Sequence, residues 1–127
     1  MKRSSFLFIS AILTLVFGTL LFFIPTLSTQ SLDMIYSPET GSVLRSMGGL
    51  IIGSGTMNLF LRDSENSHSL KALLLANIIT HTFGLLANVW GLADGAITIC
   101  KIAPFEINLF VGIGSLIYLL QLKREKV

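Results

Sequence analysis

The chain has 127 residues, of which 52% are hydrophobic and 13% are charged, with a formal net charge of +2. Soluble domains carry about 25% charged residues, so this composition indicates a membrane protein with no room for a second, soluble domain. The small net charge, without a basic patch interleaved with aromatic residues, argues against nucleic acid as a partner. The single cysteine, Cys100, excludes an internal disulfide bond and a cysteine-based metal cluster.

The first apolar segment covers residues 6–24 and follows a short basic start. It is longer than the roughly 7–15 apolar residues of a signal peptide, and no small-x-small cleavage site follows it. The segment is therefore predicted to be an uncleaved transmembrane helix. Ser10, Thr14 and Gly18 recur at four-residue intervals, which favours close packing against another helix.

The connection 26–44 carries three apolar residues at helical spacing: Leu32, Ile35 and Tyr36. They predict a short helix in the membrane interface, which Pro38 and Gly41 then break. The second span, 45–61, is short and rich in glycine. Glycine weakens a helix in water, but in lipid it lets backbones approach, and Gly49-x-x-x-Gly53 is the predicted packing motif. Alternatively, the glycines make room for a ligand beside this helix.

The third segment, 70–92, is long enough to cross a bilayer, which requires about 20 apolar residues. Ser69 is its predicted N-cap, and Gly95 is a typical residue just beyond a helix end. Four polar or small residues share one helical face: Asn77, His81, Gly84 and Asn88. Because a polar stripe centred on a histidine is unfavourable against lipid, we expect it to face protein or a cavity.

The fourth span, 104–122, begins with a proline, which fits the first turn of a helix. Seven of the nine Lys and Arg residues lie on one side of the four segments: Lys2, Arg3, Arg62, Lys71, Lys123, Arg124 and Lys126. The positive-inside rule then places both termini and the 62–69 turn in the cytoplasm. The predicted fold class is all-α, a four-transmembrane-helix bundle that forms one integral membrane domain over residues 1–127.

The first candidate site is the stripe of Asn77, His81 and Asn88. Histidine changes charge near neutral pH, so His81 could relay a proton or hold a polar ligand. No aspartate or glutamate is expected at the same depth, however. The simpler interpretation is a neutral His81 that is hydrogen-bonded across the bundle to a serine, threonine or asparagine.

The second candidate site is an outer cluster near Trp90. Arg45 is predicted to begin helix 2 and Asp94 to follow helix 3, so each lies at the end whose helix dipole disfavours its charge. Lys101 and Glu106 lie on the same side of the membrane. We expect Arg45 to form a salt bridge within about 4 Å to Asp94 first and Glu106 second. Alternatively, the cluster binds a ligand headgroup in the outer leaflet.

Several enzyme signature motifs are absent from the sequence. There is no HExxH, GxSxG, Walker loop or Gly-x-Gly-x-x-Gly. His68 and His81 have no cysteine or carboxylate at ligand spacing, so no metal site and no cofactor are predicted.

The segment Arg45-Ser46-Met47-Gly48-Gly49, followed by Gly53 and Gly55, resembles an uncharacterised bacterial family of small four-helix integral membrane proteins. The likeness extends to chain length, an Arg-x-x-Gly-Gly start to helix 2, and the Asp94-Gly95 pair after helix 3. It implies a bacterial cytoplasmic (inner) membrane protein and supplies no activity. The chain is also loosely similar to small quinone-associated and drug-exporting membrane proteins, but the exporters' glutamate in helix 1 has no counterpart here.

These observations predict a non-enzymatic membrane protein that is an accessory subunit, or that binds an apolar small molecule or lipid within its bundle. Its expected partners are the lipid bilayer, a larger membrane complex or a second copy of itself, and an apolar ligand. The alternative is a small oligomeric transporter with His81 lining the path. A third hypothesis is an intramembrane enzyme.

Overall fold

The computed structural model describes residues 1–31, 35–95 and 103–124, and the regular structure in these ranges is entirely helical. The helices in chain order are α1 (Arg3–Phe23), α2 (Pro25–Ser31), α3 (Pro38–Leu61), α4 (His68–Ala93) and α5 (Ala103–Arg124). Three segments within these ranges are long and apolar enough to cross a membrane: α1, α4 and the Phe105–Arg124 part of α5. α3 has 24 residues, but its glycine- and serine-rich composition leaves it outside this group.

The helix starts differ from the predicted ones because serines cap them earlier. α3 begins at Pro38, seven residues before the predicted start at Arg45, since the Ser37 hydroxyl accepts a hydrogen bond from Thr40 N at 3.1 Å. Pro38 thus begins this helix rather than breaking one. Similarly, Ser67 and not Ser69 caps α4, accepting from Leu70 N at 3.2 Å.

The other predicted boundaries had mixed outcomes. Gly95 has a φ of 70° just past the end of α4, as predicted for a helix stop. The predicted interfacial helix around Ile35 and Tyr36 was wrong, because both residues are non-helical and the short helix is α2, earlier in the chain. The predictions that involve Leu32, Cys100, Lys101 and Lys126 lie outside the described residues.

α1 and α3 form an antiparallel pair with very close backbones. A Cβ atom on Gly48 would lie 2.7 Å from Gly18 O, and one on Gly55 would lie 2.7 Å from Thr14 Oγ1. The predicted ridge of Ser10, Thr14 and Gly18 is buried, and Thr14 and Gly18 lie in this contact. The predicted Gly49-x-x-x-Gly53 motif was wrong, because a Cβ on Gly53 would meet nothing within 4 Å.

Gly48 and Gly55, rather than Gly49 and Gly53, form the contact with α1 because of the spacing of the buried residues on α3. These residues follow a seven-residue repeat: Gly41, Leu44, Gly48, Gly55 and Asn58. This spacing places the buried residues on one seam, where Gly48 and Gly55 face α1, Gly41 lies against Tyr36, and Asn58 bonds Asn77 of α4. The glycines outside the seam stay open to the surroundings.

α4 and α5 form a second antiparallel pair, and the two pairs meet mainly at one end. Their shared core is a cluster of buried apolar residues close to the 62–67 turn: Phe6, Leu7, Leu70, Leu73, Leu74 and Leu122. At the same end, Arg3 Nη2 donates to Ser64 O at 2.6 Å, and Asn66 Nδ2 donates to Leu122 O at 3.4 Å. The fold is therefore two helix pairs that are joined near this turn.

Candidate functional site

A buried layer of amide and imidazole side chains lies just beyond the apolar core; we call Asn58, Asn77, His81 and Asn108 the polar layer. Asn77 Nδ2 donates to Asn58 Oδ1 at 2.8 Å, which joins α4 to α3. Asn58 Nδ2 also donates to Ser54 O within its own helix at 3.1 Å. Both asparagines are at most 2% exposed, so this pair links the two helix pairs through a hydrogen bond shielded from the surroundings.

His81 is held by the neighbouring helix α5. Its Nδ1 donates to Asn108 Oδ1 at 2.7 Å, and because an amide oxygen only accepts, the proton of the neutral ring lies on Nδ1. Gly84 makes the contact possible, since a Cβ there would lie 2.7 Å from Oδ1 of Asn108. This agrees with the expectation that His81 bonds across the bundle to a serine, threonine or asparagine.

Asn58 and Asn108 were missed in the sequence analysis, although each supplies the partner of a predicted residue. The available signal was the chemical type: each is an amide in a predicted membrane span and is followed directly by three apolar residues. Amides in such positions are expected to hydrogen-bond across helices.

Five side-chain polar atoms are buried without a hydrogen-bond partner among the described residues. They include Nε2 of His81 and Nδ2 of Asn88. Asn88 is half-buried on the same face of α4 as Asn77 and His81, as predicted. In the neutral ring, Nε2 of His81 is an acceptor, and Nδ2 of Asn88 is a donor. The two atoms could therefore serve a polar ligand.

The predicted Arg45 salt bridge of the outer cluster does not form. Within the described residues, the ion pair is between Arg62 and Asp63 at 2.9 Å, and Arg45 pairs with neither Asp94 nor Glu106. The physical reason is the earlier start of α3, which places Arg45 two turns inside the helix, where it is exposed and free of the dipole conflict.

No salt bridge joins Asp94 or Glu106 to another described residue, and Lys101 lies outside the described residues. Asp94 and Glu106 are both exposed, and Trp90 is 72% exposed.

The outer half of α4 has no fully buried residue. The buried residues of this helix end at His81, and every residue from 82 to 93 is exposed or half-buried. Large apolar side chains project from this half, with Phe83 68% exposed and Leu86 56% exposed. We call residues 82–93 the open half of α4.

Metal chemistry has no support in the part of the chain that the structure describes, where no group of three or more His, Cys, Asp or Glu side chains could hold a metal ion. Comparison with known proteins adds no assignment: no family model, no curated protein and no solved structure matches the chain.

Proposed function

We propose that this chain is a non-enzymatic four-span membrane protein that acts as an accessory subunit or as a binder of an apolar molecule or lipid. The open half of α4 is the surface that the partner covers. In a closed four-helix bundle each helix buries one face along its length. The observation that carries the proposal is that α4 buries its face only as far as His81.

The packing of α3 supports four crossings. At one end of the contact, Gly48 of α3 lies beside Phe22 of α1. At the other end, Arg62, which follows α3, lies over the ring of Phe8 of α1, 5.2 Å from its centroid. If α1 spans the bilayer, α3 lies at the same depth, because it is packed along α1 from Phe22 to Phe8. The glycines and polar side chains of α3 are then partly covered by α1 rather than by lipid.

The distribution of Lys and Arg supports cytoplasmic termini. The bacterial inner membrane is proposed only from the resemblance of Arg45-Ser46-Met47-Gly48-Gly49 and Asp94-Gly95 to the small four-helix family. In this structure the first of these motifs lies inside α3 rather than at its start.

A small oligomeric transporter is the second candidate, and the unpartnered Nε2 of His81 favours it. Against it, the polar layer contains no carboxylate among the described residues, whereas intramembrane proton relays generally use chains of Asp, Glu and His. An intramembrane enzyme has no specific observation in its favour.

Photo-crosslinking from the open half of α4 tests the main proposal. p-Benzoylphenylalanine placed at Phe83 or Trp90 should give one discrete cross-linked product in membranes, and its mass identifies a second copy, another protein or a lipid. The control is the same residue at Val16, which is 57% exposed on α1. Equal, diffuse labelling at all three positions would show that bulk lipid alone covers α4.

A further inference from the structure

An apolar groove runs between the start of α1 and the second half of α5; we call it the α1–α5 groove. It has a volume of about 380 Å³ and an almost entirely apolar lining: Phe6, Leu109, Phe110, Ile113, Gly114 and Ile117. Gly114 lets Phe6 lie directly against the α5 backbone. From Leu109 to Tyr118 the groove extends for about 14 Å along α5, at 1.5 Å per residue. This length matches one leaflet of a hydrocarbon core that is about 30 Å thick.

The groove continues into a polar recess at the end of the molecule. Met1 and Tyr118 line both cavities, and the Tyr118 hydroxyl donates to Met1 O where they meet. The recess has a volume of about 290 Å³ and is otherwise lined by Lys2, Arg3, Gln121 and Leu122; we call it the basic recess. A tyrosine at this junction is typical of the depth at which headgroups begin.

The charges around the recess are predominantly positive. Lys2 is exposed, and Arg3 is half-buried with Nε unpartnered within the described part of the chain. Lys123 and Arg124 follow in the last turn of α5. Asp63, the carboxylate bonded to Ser4, is already paired with Arg62.

We infer that this end of the molecule binds an anionic phospholipid, with one acyl chain in the α1–α5 groove and the phosphate in the basic recess. The apolar α1–α5 groove adjoins the basic recess at Met1 and Tyr118. Basic pockets between membrane helices are known to hold anionic headgroups. The inference needs α1 and α5 to reach the bilayer surface. It is independent of what covers the open half of α4, so either proposal can fail alone.

The headgroup half is tested by native mass spectrometry of the purified chain in a neutral detergent. The probes are phosphatidylglycerol and phosphatidylcholine with identical palmitoyl and oleoyl chains. Phosphatidylglycerol should bind more tightly. Lys2→Gln should weaken its binding about fivefold, the equivalent of about 1 kcal/mol per basic residue near the surface, and leave phosphatidylcholine unchanged. The control, Arg45→Gln, removes one positive charge from an exposed site elsewhere and should change neither.

The groove half is tested with a filling substitution. Ile113 is 52% exposed and lines the groove, so Ile113→Trp should fill it and weaken the binding of both lipids. Ile79→Trp is the matched control, because Ile79 is 50% exposed on α4 and does not line the groove. If Ile113→Trp is not monodisperse, Ile117→Phe serves as the second filling variant.

Three results would overturn the inference. The first is equal affinity for the two lipids, and the second is a Lys2→Gln effect no larger than that of Arg45→Gln. The third is displacement of phosphatidylglycerol by an equal concentration of glycerol 1-phosphate, which would assign the recess to free phosphate and leave the groove without a role.

Discussion

The hydrogen bond between His81 and Asn108 is the contact on which the interpretation of the polar layer depends. His81→Leu leaves Asn108 Oδ1 without its donor, and Asn108→Leu leaves His81 Nδ1 without its acceptor. Interhelical hydrogen bonds in membranes average about 0.6 kcal/mol by double-mutant cycles. We therefore expect a modest loss of unfolding free energy in each single variant and a coupling of about 0.6 kcal/mol between them, measured by reversible unfolding in mixed micelles.

The matched variants for this site are His81→Gln and His81→Asn, which keep a donor and should be tolerated. If His81→Gln abolished a transport or binding activity while unfolding stayed normal, the purely structural role of His81 would be wrong. The transporter alternative would then gain its first direct support.

Asp63 provides a pH-dependent contact between the α3–α4 turn and the start of α1. The Ser4 hydroxyl donates to its carboxylate and Arg62 lies beside it, and both hold the pKa of Asp63 below its ordinary value of 3.8. A carboxyl with a lowered folded-state pKa stabilises the fold above the unfolded pKa, and this contribution is lost as the pH falls through the folded pKa. The effect is small because Asp63 is exposed.

We expect the Tm of the native chain to exceed that of Asp63→Asn at a pH of about 7, and the difference to shrink once the pH falls below 3.8. Ser4→Ala should also lower the Tm at neutral pH, as Asp63→Asn does. Ser5→Ala removes the exposed hydroxyl one residue along and should leave the pH profile unchanged. A difference that grew on acidification would contradict the assignment.

At the scale of the helices, the α1–α3 contact depends on which glycines lie in the seam. A Cβ on Gly48 would be 2.7 Å from both Gly18 O and Phe22 N, and these backbone atoms cannot move aside cheaply. Gly48→Ala should therefore cost about 1–3 kcal/mol, the range for overpacked sites. Reversible unfolding in micelles measures this loss.

Gly53→Ala is the control on the same helix. It adds the same methyl group where nothing lies within 4 Å, and alanine favours helix by about 1 kcal/mol over glycine in water. It should be neutral or slightly stabilising. Equal losses for the two variants would mean that helix propensity, and not backbone approach, limits both sites.

At the scale of the whole molecule, the proposed four crossings fix the side on which each connection lies. Reporter fusions at Ser67 and after Val127 should report the cytoplasm, and one near Glu39 should report the outside, because the Lys and Arg excess follows this division. An outside signal after Val127 would require an odd number of crossings and would contradict the four-span proposal. An outside signal at Ser67 would show that α3 does not cross with α1.

The sequence was sufficient for the properties that depend on composition and on the helical repeat. Long apolar runs predicted the all-α membrane character, and the spacing of Asn77 and His81 predicted the buried face in the first half of α4, where both are buried. The predicted starts of α3 and α4 were less accurate, because Ser37 and Ser67 were equally plausible N-caps that lay earlier in the chain.

Only the tertiary structure decided which helix faces meet. In a membrane protein nearly every face of a helix is apolar, so the pattern of apolar residues does not fix how one helix is rotated against another. The choice of Gly48 and Gly55 over Gly49 and Gly53, and of Asn108 as the partner of His81, follows from that rotation. The Arg45 salt bridge was wrong for a related reason: α3 packs mainly along α1, so a shared predicted membrane side did not make Arg45 a neighbour of Asp94 or Glu106.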